Sequence, residues 1–353
     1  MPGTLWLVYG GRVLGNSRFR VVTVGSVTAM TTVGLVFAVA RGSFGRALAH
    51  GVAGLAVADS RWLWVAAAGF VGSLVATAGA WRSALSACGG RLGRVDACAR
   101  YGVGSLVNTF LPARLGDGAR VGLFSRTFPQ DHEGRTLTTV GALGAVSAAE
   151  VLSQSSVVGS AVFVGAVPLW SLSVVVGVGA FATVLMVVLA RRFRGGRVVR
   201  LFEVFRSMAD SPRQALRLLA WSGAATVCRL LAAAAIAASL GVPSPLEAGL
   251  VMCAVLTLAT AIPLMPGNLG VTSGAIVLAL HTQGVPLAPA LAAGVAFHAV
   301  EIAAGIVFGL GGALFLSHYP SASARRWSLR IAAALTTTLL VTGVGATFVP
   351  QLH

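Results

Sequence analysis

EAGLVMCAVLTLATAIPLMPGNLGVTSGAIVLALHT, residues 247–282, is apolar almost throughout, yet it is broken at Pro263-Leu264-Met265-Pro266-Gly267-Asn268. An unbroken run of about 20 apolar residues crosses a bilayer as one helix. Here two prolines and a glycine intervene, and proline removes a backbone donor and clashes with the preceding turn. The stretch therefore reads as two half-length helices joined by irregular backbone, a re-entrant hairpin. Irregular backbone at membrane depth is tolerated only where protein or water covers it. The reading thus implies both a bilayer and a sheltered interior.

The rest of the chain agrees with a bilayer. Of 353 residues, 56% are hydrophobic and only 10% are charged, with a mean hydropathy of +0.85. A water-soluble protein carries about 25% charged residues, so this chain lacks the polar surface to cover a globule in water. Runs long enough to span lie at 21–40, 62–84, 136–160, 171–190, 218–240, 287–316 and 331–349. A second broken apolar stretch, 101–111, is too short to cross. The fold class is all-α: a polytopic membrane protein, about seven full spans plus two re-entrant helical hairpins, forming one membrane domain over 1–353. The first span ends Ala38-Val39-Ala40, like a signal-peptidase site, but 20 residues exceeds the roughly 7–15 of a signal segment, so a retained span is expected.

Charge sets the orientation. All 26 basic residues are arginines, and the formal net charge is +16. With the N-terminus cytoplasmic, twenty-two of them fall in cytoplasmic segments, as the positive-inside rule requires. That count holds only if both broken stretches return to the side they came from. Arginines confined to short loops determine topology, so nucleic acid is not an expected partner. Residues 191–217 read as an ordinary basic cytoplasmic loop, with an interfacial helix on anionic headgroups as the alternative. Four cysteines without a CxxC pair or a Cys/His cluster support neither a disulfide framework nor a metal site, and no cofactor motif is present.

The chain repeats itself. Pro112-Ala113-Arg114-Leu115-Gly116 matches Pro266-Gly267-Asn268-Leu269-Gly270, and Ala145 to Glu150 matches Ala296 to Glu301, at separations of 154 and 151 residues. Two repeat units, 101–160 and 255–312, are expected, and the charge topology makes them inverted. Paired broken segments in inverted halves point to a transporter with its site near the midplane, where freed helix N-termini offer N–H donors to anions.

Glu150, Arg229 and Glu301 sit near the middle of their spans. An ionised group there costs about 2.5–3.5 kcal/mol on insertion scales, so these side chains are expected to meet inside the protein rather than face lipid. His298, three residues before Glu301, shares its helix face. The bland alternative is a set of ion pairs that hold helices together. Arg114 and Arg120 could receive a phosphate with Asp117 orienting one of them, or form a helix-start salt bridge. Asn108 and Asn268 are neutral polar groups at the hairpins, suited to satisfying backbone or to touching a ligand.

The segment Tyr101 to Arg120, YGVGSLVNTFLPARLGDGAR, resembles the G-x-x-x-N-x-x-x-P-x-x-x-G-E-x-x-R hallmark of the flippase-like membrane domain of lysylphosphatidylglycerol synthases. Ile262 to Gly270 resembles that domain's second hallmark, I-P-x-x-P-G-G-x-G-x-x-E. The resemblance covers roughly 20–317. Asp117 stands where the family usually has Glu, Asn268 replaces a glycine, and Ser273 stands where the second hallmark's Glu is expected, so that acid's role does not carry over. The resemblance implies a lipid translocator lacking the synthase's soluble domain, with an anionic or phosphate-bearing lipid as partner and an envelope-biosynthesis enzyme as a further partner. Rival functions are a membrane-embedded enzyme acting on a lipid-linked sugar or phosphate, and a non-catalytic scaffold. No D-x-D metal pair or nucleophile constellation supports the enzyme. Oligomeric state is not legible among so many small residues.

Overall fold

A computed structural model of the chain describes residues 58–110, 115–129, 134–179, 196–261 and 269–317. The expected spans at 21–40 and 331–349 lie outside them, as do the two hairpin breaks and the part of the span at 171–190 that begins at 180. Each long apolar run within them becomes a helix: α1 (Ser60–Ala87), α4 (Arg135–Phe163), α6 (Pro212–Ser239) and α9 (Leu287–Ser317). All four have the length and composition to cross a membrane. The broken stretches give α2 (Arg94–Phe110) with α3 (Leu115–Phe124), and α7 (Pro245–Ala261) with α8 (Leu269–Thr282). A shorter apolar helix runs over Trp170–Gly179, and α5 spans Gly196–Asp210.

Two expectations change in detail. The first broken stretch is not confined to 101–111, because α2 begins at Arg94. Its polar first turns are satisfied inside the protein: Arg100 Nε bonds Asp96 at 3.0 Å, and its NH1 donates to the Leu123 carbonyl at 2.5 Å. The basic stretch 191–217 is not simply a loop either, because α5 lies within it and buries Val204 and Met208 among residues of α1 and α4.

The helices pair in a regular way. α1 lies along α6, α2 lies against α9, and α7 lies against α4; α1 also touches α9, and α6 touches α4. Exchanging α1 with α6, α2 with α7 and α4 with α9 leaves these neighbours unchanged. Equivalent helices begin at nearly constant intervals. Ser60 and Pro212 are 152 residues apart, Arg94 and Pro245 151, Leu115 and Leu269 154, Arg135 and Leu287 152.

Even the ends of α1 and α6 agree. Gly89 (φ +80°) and Gly241 (φ +66°) both adopt the left-handed conformation. The next N–H in each case bonds back five residues, Gly90 to Leu85 and Val242 to Ala237, both at 3.0 Å. Glycine closes both helices because only it takes positive φ without strain.

Along the α1–α6 contact, Gly69 meets Ala232, Gly72 meets Cys228 and Gly79 meets Trp221. The numbers rise in one helix as they fall in the other, so the two run antiparallel. Lipid gives no hydrophobic drive between helices, so close backbone approach does the packing. Between α2 and α9, a Cβ on Gly309 would lie 2.7 Å from Leu106 Cβ and 2.9 Å from the Gly102 carbonyl. Large apolar side chains point outward instead, including Phe163, Trp64 and Val307.

Candidate functional site

The first charged cluster is built by the α2–α3 pair. Gly116 lies in the first turn of α3 and so has a backbone N–H with no intrahelical partner. Asn108 Oδ1 accepts it at 2.7 Å, while Asn108 Nδ2 donates to Asp117 Oδ1 at 3.3 Å. Arg120 NH1 donates to the same Asp117 oxygen at 2.7 Å, and its NH2 donates to Ser105 Oγ at 2.9 Å. The guanidinium carbon sits 4.3 Å from the Tyr101 ring centre.

Two glycines make room for this. A side chain on Gly104 would collide with Arg120, and one on Gly116 would collide with Asn108. Glycine, asparagine, glycine, acid and arginine at this spacing are therefore one interlocked unit. The polar groups are expensive to bury without partners, and the unit supplies most of them from within, leaving Arg120 Nε buried without one.

The second cluster draws on three helices, α6, α8 and α9. Arg229 on α6 pairs with Glu301 on α9 through NH2 and Oε1. The other Glu301 oxygen, Oε2, lies 3.4 Å from His298 Nδ1. The far side of that ring, Nε2, is 2.8 Å from Thr272 Oγ1 on α8. A carboxylate only accepts, so Nδ1 carries a proton toward Glu301, and the Thr272 hydroxyl, which can donate or accept, pairs with Nε2. Phe297, stacked edge-on against Phe70 at 5.0 Å, lies 5.8 Å from the Arg229 guanidinium. The Arg229 and Glu301 side chains remain 40% and 32% exposed.

Glu150, half-buried in the middle of α4, lies in electrostatic range of both Arg229 and Tyr101. The structure thus gathers Asn108, Asp117 and Arg120 in one place and Arg229, His298 and Glu301 in another. Arg114 and Asn268 lie outside the described residues. Sequence reasoning missed Tyr101, Ser105 and Thr272. Tyr101 is buried, with its hydroxyl facing Thr77 and Ser105. The signal for Ser105 was its spacing: it lies one turn from both Tyr101 and Asn108, on the face that meets α3.

Comparison with curated proteins and with solved structures returns no similar chain. Residues 20–309 match the lysylphosphatidylglycerol synthase TM region. That is most of the sequence and contains both charged clusters. The apolar helices and this match together make the protein a multi-pass membrane protein, and it belongs to the lysylphosphatidylglycerol synthase transmembrane-region family.

Proposed function

We propose that the chain is a flippase-like translocator, carrying a lipid with an anionic or phosphate-containing headgroup between leaflets. The headgroup passes the interior charges while its tails stay in lipid. Arg229 is the central phosphate contact, and Arg120 and Arg114 attract the headgroup at the first hairpin. Glu150 and Glu301 balance charge, and Asn108, Asp117, Asn268 and His298 shape the path. One observation carries the reading: an arginine and a glutamate paired at mid-helix, both only partly buried. Charged side chains at that depth are costly and are most often functional.

The proposal includes inverted halves with two re-entrant hairpins. It is supported by the constant interval between equivalent helices and by the antiparallel α1–α6 contact. A two-fold that relates antiparallel spans lies across them, in the membrane plane. Trp62 and Trp64 are exposed at one end of α1, as are Phe163 and Trp170 at the end of α4 and the helix after it. Aromatic residues favour the interface. Arg82 lies 18 residues beyond Trp64, about 27 Å of helix rise, close to the ~30 Å hydrocarbon thickness. The arginine-rich end is assigned to the cytoplasm, with the protein in the cell membrane and its N-terminus inside.

The function is tested by translocation of headgroup-labelled phosphatidylglycerol in proteoliposomes. The wild-type chain moves the label faster than protein-free vesicles, and Arg229→Ala does not. Equal rates for all three, with folded protein, would remove the reading. Metal-dependent turnover of a lipid phosphate would favour an enzyme, and partner binding that survives loss of every interior charge would favour a scaffold. The α1–α6 contact has its own test. Gly72→Cys would place its Cβ 3.7 Å from that of native Cys228, within the roughly 3.5–4.5 Å of a disulfide. Oxidation joins the two peptides; failure to join them contradicts the register.

A further inference from the structure

The Arg229 site is already occupied by an anion that belongs to the protein. Glu301 holds the guanidinium through one oxygen, and His298 stands against the other at 3.4 Å. A carboxylate and a phosphate ask the same thing of a guanidinium, two acceptor oxygens in the plane of its fork. Glu301 engages only NH2, and a phosphate that takes the fork through two oxygens needs that same NH2, so the two anions compete for it.

We infer that Glu301 is the resident competitor of the headgroup: phosphate gains Arg229 by displacing the Glu301 carboxylate, and leaves when the carboxylate returns. The inference rests on the translocator reading and adds how that site lets go. An uncompensated arginine at this depth would bind phosphate and keep it, whereas transport needs binding strong enough to enter and weak enough to leave. Exchange of one anion for another keeps the guanidinium paired at every stage, so its desolvation is never left uncompensated.

The geometry provides for the displaced group. Glu301 Oε2 keeps its contact with His298 Nδ1, and the far side of the ring is held by the Thr272 hydroxyl on α8. Occupancy of Arg229 is thereby felt at α8 through a chain of three contacts, Arg229 to Glu301, Glu301 to His298 and His298 to Thr272. The other ionisable groups in range of Arg229 are Glu150 on α4, Tyr101 on α2 and Cys253 on α7. Glu150 leaves Arg229 a nearby negative charge when Glu301 is neutralised, which favours survival of the folded variant.

The test measures binding to the purified full chain in detergent micelles, with dioctanoyl phosphatidylglycerol and inorganic phosphate as separate probes. E301Q removes the competitor and keeps its shape. It is expected to bind the lipid about tenfold tighter than wild type, the scale of one hydrogen bond to a charged group, and to translocate it more slowly. The double variant R229Q/E301Q removes the charge from both partners and is expected to bind at least about tenfold more weakly than wild type. Tightening seen with inorganic phosphate alone keeps the competition and assigns the site to the free ion. If E301Q does not fold, Glu301→Asp, whose shorter carboxylate draws back from Arg229, carries the same expectation in reduced degree. Unchanged or weaker binding in the folded variant, beside a wild type that binds and translocates, overturns the competitor and leaves the translocator standing. A wild type that neither binds nor translocates overturns both.

Discussion

The two charged clusters are held together differently. Arg120 and Asp117 are three residues apart on α3, and every partner they have in the first cluster comes from the α2–α3 pair. Arg229 and Glu301 are separated by 72 residues and belong to different long helices, with a third contributing Thr272. A pair formed within one helix survives any rearrangement that keeps the helix. A pair formed between helices opens when they move apart or when another anion takes one partner. The first cluster is therefore built as a clamp on its hairpin, and the second as a contact that can be exchanged.

The contrast predicts unequal consequences. The largest is on transport. Arg229→Ala is expected to slow translocation of labelled phosphatidylglycerol on the order of a hundredfold, the scale of losing strong hydrogen bonds to a charged group. A variant that transports normally would reduce the second cluster to a strap between helices. Next comes stability at the clamp. Asn108→Ala leaves the Gly116 N–H without its acceptor and is expected to lower stability by about 1–3 kcal/mol, read as a fall in the thermal midpoint of the purified protein. A midpoint that does not move would mean the first hairpin is not locked by this side chain. Ser105→Ala removes one of the contacts on Arg120 and should have the smallest effect, a few-fold change in translocation rate consistent with a net hydrogen bond of about 1 kcal/mol. A larger loss than that from Arg229→Ala would reverse the assignment of the two clusters.

Much of the fold could be read directly from the chain, because spanning a bilayer is a property of one segment at a time. The run at 287–316 became Leu287–Ser317, and 62–84 became Ser60–Ala87. The helix at Arg94 was hidden because its first turns carry Arg94, Asp96 and Arg100, which read as loop until Arg100 is seen bonded to Asp96 and to the Leu123 carbonyl. The repeat was visible through two short motifs. Those motifs did not reach α1 and α6, since apolar helices of alanine, valine and glycine look alike whichever partner they have. The second cluster was legible as a set of costly residues but not as a pair. Hydrophobic periodicity says which residues share a face of one helix, as with His298 and Glu301, and nothing about which helix lies opposite. Thr272 was missed for that reason.

The most direct measurement is where the headgroup touches the protein during passage. Phosphatidylglycerol carrying a photoreactive group on its headgroup is expected to label peptides of α6 around Arg229 and of α9 around His298 and Glu301. That labelling should be reduced by Arg229→Ala. Labelling confined to outward positions such as Trp64, Leu152 and Val307, and unaffected by that substitution, would contradict an interior headgroup path.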